Sequence, residues 1–156
     1  HRKRAVTMVV LVIIAVTITS LNMVNQAAAL MVLDGGAWTA ALDPAQREAL
    51  STFFVELHRV GYGAVAAVFF GLWLVPLGLL IWASGFIPRV IGALLIVAGA
   101  GYVIDVVLAV MVPRSGIVLS EFTFVGEVVL LGWLLVRGVN ASAWNERANG
   151  TRAALA

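Results

Sequence analysis

The chain has 156 residues, of which 62% are hydrophobic and 12% charged, with a formal net charge of +2. A soluble domain carries about 25% charged residues, so this composition cannot clothe a water-facing surface, and the mean hydropathy is +1.05. So small a net charge gives no electrostatic case for nucleic acid, and with no cysteine there is no disulfide, thiolate metal site or cysteine nucleophile.

The apolar runs are long and do not alternate, which selects helices over a β-barrel. The expected fold is all-α, a polytopic transmembrane helical bundle of four spans plus an outer amphipathic helix. One domain covers residues 1–140 and a tail covers 141–156. His1-Arg2-Lys3-Arg4 leads straight into an apolar run, with no signal-peptide cleavage pattern. A start at His rather than Met fits a trimmed chain or a piece of a longer product.

The first span is placed at residues 5–29, long enough for ~30 Å of hydrocarbon. Its second half turns polar, and Thr19, Asn22 and Gln26 share one helical face. Amides in lipid need partners, so that face should look into the bundle or lie at the interface. Asp34-Gly35-Gly36 reads as a loop. Asp43-Pro44-Ala45-Gln46 reads as a helix start, with Asp43 capping, Pro44 at the first helical position and Gln46 closing a capping box. Over residues 44–60, Leu50, Phe53, Leu57 and Val60 fall on one face and Arg47, Ser51, Thr52 and Glu56 elsewhere. This pattern suits a helix on the membrane surface, or one running directly into the next span.

The second span is placed at 61–83, with Pro76 inside it. Gly85 stops that helix and Pro88 starts the next. The third span is placed at 88–112. Pro113-Arg114-Ser115-Gly116 reads as a turn and the fourth span as 117–135, with Trp133 and Arg137 anchoring its end. Gly71, Gly78, Gly92 and Gly99 permit close approach of neighbouring helices, and packing is their expected use. With the N-terminus inside, the inner side holds Arg2, Lys3, Arg4, Arg89, Arg137, Arg147 and Arg152, against Arg47, Arg59 and Arg114 outside. The positive-inside rule therefore puts both termini in the cytoplasm.

Carboxylates within spans are functional candidates because their burial is costly. Asp105 lies in the third span and Glu127 near the middle of the fourth, with Glu121 closer to the outer surface. Tyr102 shares a helix face with Asp105. One reading gathers His58, Tyr102, Asp105 and Glu127, with Glu121, Arg59 and Arg114, into a polar pocket open to the outside. The other places Glu56, Arg59, Arg114 and Glu121 among lipid headgroups and gives Asp105 a packing partner. His58 is the only histidine inside the folded region, so a bis-histidine haem has no second ligand, and neither cofactor nor metal is expected. No nucleophile–base pair, phosphate loop or dinucleotide fingerprint is present, which makes an enzyme the weakest class.

An ordered set of short motifs runs through the chain. It comprises Leu57-His58, then Phe70-Gly71-Leu72-Trp73-Leu74-Val75-Pro76-Leu77-Gly78, then Ser84-Gly85-Phe86-Ile87-Pro88-Arg89 with Gly92. Ala98-Gly99, Gly101-Tyr102 and Asp105 follow, then Gly126-Glu127, Trp133-Leu134-Leu135 and Gly138-Val139. With Asn22 and Pro44-Ala45-Gln46, this set resembles the bacterial multi-pass membrane family known as domain of unknown function 4386. The resemblance covers Asn22 to Val139. It implies a helical protein of the bacterial plasma membrane, whose members are usually longer at the N-terminus, and it brings no catalytic residues with it. The matching polar positions are His58, Arg89, Tyr102, Asp105 and Glu127.

Two functions are in view. The first is a non-enzymatic accessory or structural subunit that packs against other membrane-protein subunits through its glycine faces. The second is a small-solute or proton-coupled transporter, or a ligand-binding membrane protein, using the outward polar pocket.

Overall fold

The computed structural model describes residues 1–112 and 116–153, and among these the chain is helical with no strand. The sequence-predicted turn at Pro113-Arg114-Ser115, including Arg114, lies outside the described residues.

Helix α1 spans Arg2–Asp34 and ends on Gly35, whose φ of 74° terminates the helix in the left-handed region. A short 3₁₀ turn at Ala37–Thr39 follows. Helix α2, Pro44–Val60, starts on the capping box read from the sequence: Asp43 Oδ1 accepts from Gln46 N at 2.8 Å and Asp43 N donates to Gln46 Oε1 at 3.0 Å. A π-helical segment at Gly61–Ala66 carries α2 into α3, Ala67–Ser84, which runs through the buried Pro76. Gly85, with φ 76°, turns the chain. Helix α4 spans Arg89–Met111.

Among the described residues three helices are long and apolar enough to cross a membrane: α1, the continuous 41-residue helix Pro44–Ser84, and α4. At 1.5 Å per residue the second is ~61 Å long, about twice the hydrocarbon thickness. The amphipathic stretch and the second span are therefore one helix. Residues 117–135 do not form one uninterrupted helix. They contain α5, Ser120–Thr123, and α6, Val125–Val136, with a turn at Phe124 between them. The tail holds a further helix, α7, Ala141–Ala153, sharply bent against α5–α6 at 91°. Phe86 accepts a hydrogen bond from Asn140 N at 3.1 Å and meets the Trp144 ring edge-on at 5.3 Å, which ties α7 to the α3–α4 corner.

The closest packing joins α3 to α4. A methyl added to Gly71 would lie 2.6 Å from Gly99 O, and one added to Gly78 would lie 2.5 Å from Gly92 O. Only glycine allows these backbones so near, and in lipid such close contact, rather than water exclusion, holds helices together. Around the two glycine pairs Leu74, Ile81, Ile91, Leu95 and Ala98 form the core.

Helix α1 packs against α2, the π segment and α3, while α5 and α6 pack against α4. Among the described residues α1 has no comparable interface with α4 or α6. The order is thus α1–α3–α4–α6, an open row one helix thick rather than a closed bundle. Ala15, Asn22 and Ala29 recur at seven-residue spacing as the buried seam of α1.

The antiparallel register of Gly71 on Gly99 and Gly78 on Gly92 brings the end of α4 level with the last turn of α2. Asn22 of α1 meets His58 at that same level. Beyond it, the rest of α1 and most of α2 overhang the row as a two-helix hairpin, ~18 Å long on the α1 side at 1.5 Å per residue.

Candidate functional site

Of the polar residues singled out, Tyr102 and Glu127 come together. The Tyr102 hydroxyl donates to Glu127 Oε1 at 3.0 Å, joining α4 to α6. Asp105, one turn above Tyr102, makes a different contact. Its Oδ1 accepts from Leu119 N at 2.6 Å and its Oδ2 from Ser120 N at 2.7 Å. The first N–H groups of a helix have no partner within it. A carboxylate in an apolar environment needs donors as well. Asp105 satisfies both needs, acting as an N-terminal cap for α5 delivered from another helix. Glycine lets the two layers close: Gly101 abuts Thr123, and a methyl on Gly126 would lie 2.7 Å from the backbone of Leu94.

His58 stands apart from this set, on the other side of α3, at the seam with α1. Asn22 Nδ2 donates to His58 O at 2.8 Å, and His58 Nδ1 lies 3.2 Å from Asn22 O. Asn25 Nδ2 donates to Asn22 Oδ1 at 2.8 Å. The His58 ring stacks on Tyr62 at 6.5 Å, and Tyr62 meets Phe70 at 6.0 Å. This knot occupies the junction between α2 and the π segment, where Gly61 lies directly against the Asn22 side chain. The predicted polar face of α1 divides along its length. Asn22 is buried and Thr19 bonds back to Ala15 O at 2.9 Å, but Gln26 is exposed.

The four candidates therefore do not line one pocket. Asp105 and the Tyr102–Glu127 pair fasten α5–α6 to α4, and His58 fastens α2 to α1. Glu121 is exposed, and Glu56 and Arg59 pair with each other at 2.7 Å on the surface. Two buried polar atoms have no hydrogen-bond partner on the α6 side, Thr123 Oγ1 and Trp133 Nε1. Among the described residues no three His, Asp or Glu side chains gather as a metal site.

The glycines Gly71, Gly78, Gly92 and Gly99 meet one another inside the chain. The expectation that they meet another protein is corrected: their faces are already occupied by the α3–α4 contact. The stripe Leu50, Phe53, Leu57, Val60, read from the sequence as suiting a membrane surface, does not face the other helices. Phe53, Leu57 and Val60 are 58%, 42% and 50% exposed, while Ser51 is buried and donates to Ala29 O of α1 at 3.2 Å. The small and polar side of α2 faces α1, and the apolar side faces away. No sequence signal marked Arg47, which lies half-buried where α2 passes the end of α1.

Residues 1–138 match the family model described as domain of unknown function (DUF4386), and the chain belongs to that family. A curated archaeal relative, an uncharacterized protein of Archaeoglobus fulgidus, is 36% identical over 87 residues. The match covers 56% of this chain and 49% of the relative, so the chain spans about half the length of the curated relative it matches. No solved structure matches it.

Proposed function

We propose that this member of the DUF4386 family is a non-enzymatic membrane module that packs against other membrane-protein subunits. One observation carries the reading, the open row α1–α3–α4–α6 with its apolar overhang. Within the bilayer, apolar faces on both sides of such a row meet lipid at no cost. Beyond the bilayer the exposed Leu30, Met31, Trp38 and Phe53 of the hairpin would meet water, where apolar patches mark interaction sites. A partner with its own extramembrane surface would cover them.

In this reading α5 and α6 cross as a fourth, broken span, held to α4 by Asp105 and the Tyr102–Glu127 bond. The membrane in this reading is a bacterial plasma membrane, with both termini in the cytoplasm and the hairpin outside, an orientation that the distribution of Lys and Arg supports. A transporter built on His58, Tyr102, Asp105 and Glu127 gains no support from the geometry, because these side chains are engaged at two separate helix contacts.

The test is purification from the native membrane in mild detergent, followed by mass spectrometry of what accompanies the chain. Stoichiometric partner subunits that survive washing are the expected result. A protein that emerges alone, at the mass of one chain, overturns the reading.

A further inference from the structure

Independently of that reading, we infer that the hairpin carries a binding site for a small zwitterion, one that offers an oxyanion to Arg47 and an ammonium group to Glu48. The site is a cavity of about 470 Å³ lined by Leu33, Pro44, Arg47, Glu48, Ser51 and Thr52, between the end of α1 and the first two turns of α2. Arg47 is the reason to expect a ligand. Its guanidinium lies where α1 ends, such that a methyl on Gly35 would be 3.3 Å from Nη1. Its Nε is buried and has no hydrogen-bond partner.

The neighbouring carboxylates do not answer that charge. Asp43 is engaged in the capping box with Gln46. The ion pair found among the described residues is Arg59 with Glu56, which begins about two and a half turns beyond Arg47. A guanidinium presents donors in a planar fork that matches carboxylate and phosphate oxygens. Nε is closed off from the open cavity, so the Nη edge of the half-buried fork on its wall is what receives such a group.

The rest of the wall narrows the class. Glu48 stands on the same cavity, so an anion without a positive group would meet like charge there. An ammonium group placed beside the oxyanion converts that repulsion into attraction. Leu33 and Pro44 add an apolar side, and Thr52 adds a hydroxyl able to donate or accept. A free amino acid supplies this chemistry; the cavity sits at the hairpin turn, beyond the reach of a phospholipid headgroup.

The experiment uses the full chain in phosphatidylcholine nanodiscs, with L-alanine as the zwitterion and acetate as the oxyanion alone, both titrated calorimetrically. Saturable alanine binding is expected, and Arg47→Gln is expected to weaken it by about tenfold or more. Glu48→Gln should weaken the zwitterion while leaving acetate no worse. No alanine binding by the wild-type chain overturns the proposal, as does undiminished binding by Arg47→Gln. Should Arg47→Gln not fold, Glu48→Gln at its exposed position decides: unchanged zwitterion binding refutes the assignment.

Discussion

Replacing Gly99 with alanine tests whether the α3–α4 contact is what holds the row together. The added methyl would lie 2.5 Å from Gly71 O, 3.2 Å from Leu74 Cβ and 3.4 Å from Val75 Cγ2. Carbon atoms pack best at roughly 3.5–4.0 Å. The nearest obstacle is a backbone oxygen, which cannot rotate aside, so the helices must part by about 1 Å. Overpacking of this kind costs about 1–3 kcal/mol. In water, alanine would regain about 1 kcal/mol through its helix propensity. In a bilayer the separated helices remain helical, so that gain appears in both states and cancels. The expected loss is therefore about 1–3 kcal/mol, read from SDS-induced unfolding in mixed micelles. The double variant Gly71→Ala/Gly99→Ala should lose less than the sum of its parts, because one separation accommodates both methyls. Gly63 and Gly132, with nothing within 4 Å, provide controls expected to be silent. If Gly99→Ala unfolds at the same SDS fraction as Gly132→Ala, the close-contact argument is wrong.

Other positions give expectations of different kinds. Asp105→Asn leaves an amide N–H₂ facing a backbone N–H, and a loss of about 2–3 kcal/mol is expected; faster hydrogen exchange at Leu119 and Ser120 would locate it, and unchanged exchange would sink it. Glu127→Gln keeps an acceptor for Tyr102, so its effect should stay below about 1 kcal/mol, and Tyr102→Phe should cost about 0.5–1.5 kcal/mol. A double-mutant cycle on that pair that shows no coupling would remove the bond from the account. Asn22→Ala strips the buried amide from the α1–α2 seam and should cost about 2–3 kcal/mol; stability equal to wild type would contradict the seam. Phe53→Cys, in a chain with no native cysteine, should resist a membrane-impermeant maleimide in native membranes and react once SDS has stripped the partner away. Glu56→Cys should react in both, and equal labelling of the two in native membranes would refute a covered hairpin.

Local signals in the sequence translated directly into local structure. The Asp43–Gln46 capping box, the Gly85 stop and the bounds of α4 depend on residues within a turn of one another, and each is found in place. The glycine positions were also legible as close contacts, since only a missing side chain admits a neighbouring backbone. Their partner was not, because a glycine face reads the same whether it meets its own chain or another. Asp105 was equally opaque. Its donors lie 14 and 15 residues further on, in a helix too short to announce itself by periodicity. The break at Phe124 escaped notice because hydropathy continues across it undisturbed, as it does across the π segment at Gly61–Ala66. The polar-pocket reading rested on residues at similar depth, yet depth fixes only one coordinate, and the alternative, a packing partner for Asp105, needs no shared pocket. His58 and Asp105 sit on opposite flanks of α3, facing α1 and α5 respectively.

The outward stripe on α2 has a further consequence. An apolar face means core when the surroundings are water, but it carries no direction when the surroundings are lipid or another protein. Here the inward side is chosen by fit: Ser51, His58 and Gly61 are the residues that let α2 approach α1 and exchange hydrogen bonds with Ala29 and Asn22. That choice leaves Phe53, Leu57 and Val60 pointing outward on a segment that has passed the end of α4. A hairpin seamed by polar bonds and sheathed in apolar side chains is stable only where something apolar surrounds it. The bilayer can supply that sheath for the lower part, near Val60. At the level of Trp38, beside the hairpin turn and 56% exposed, the sheath has to come from a protein surface.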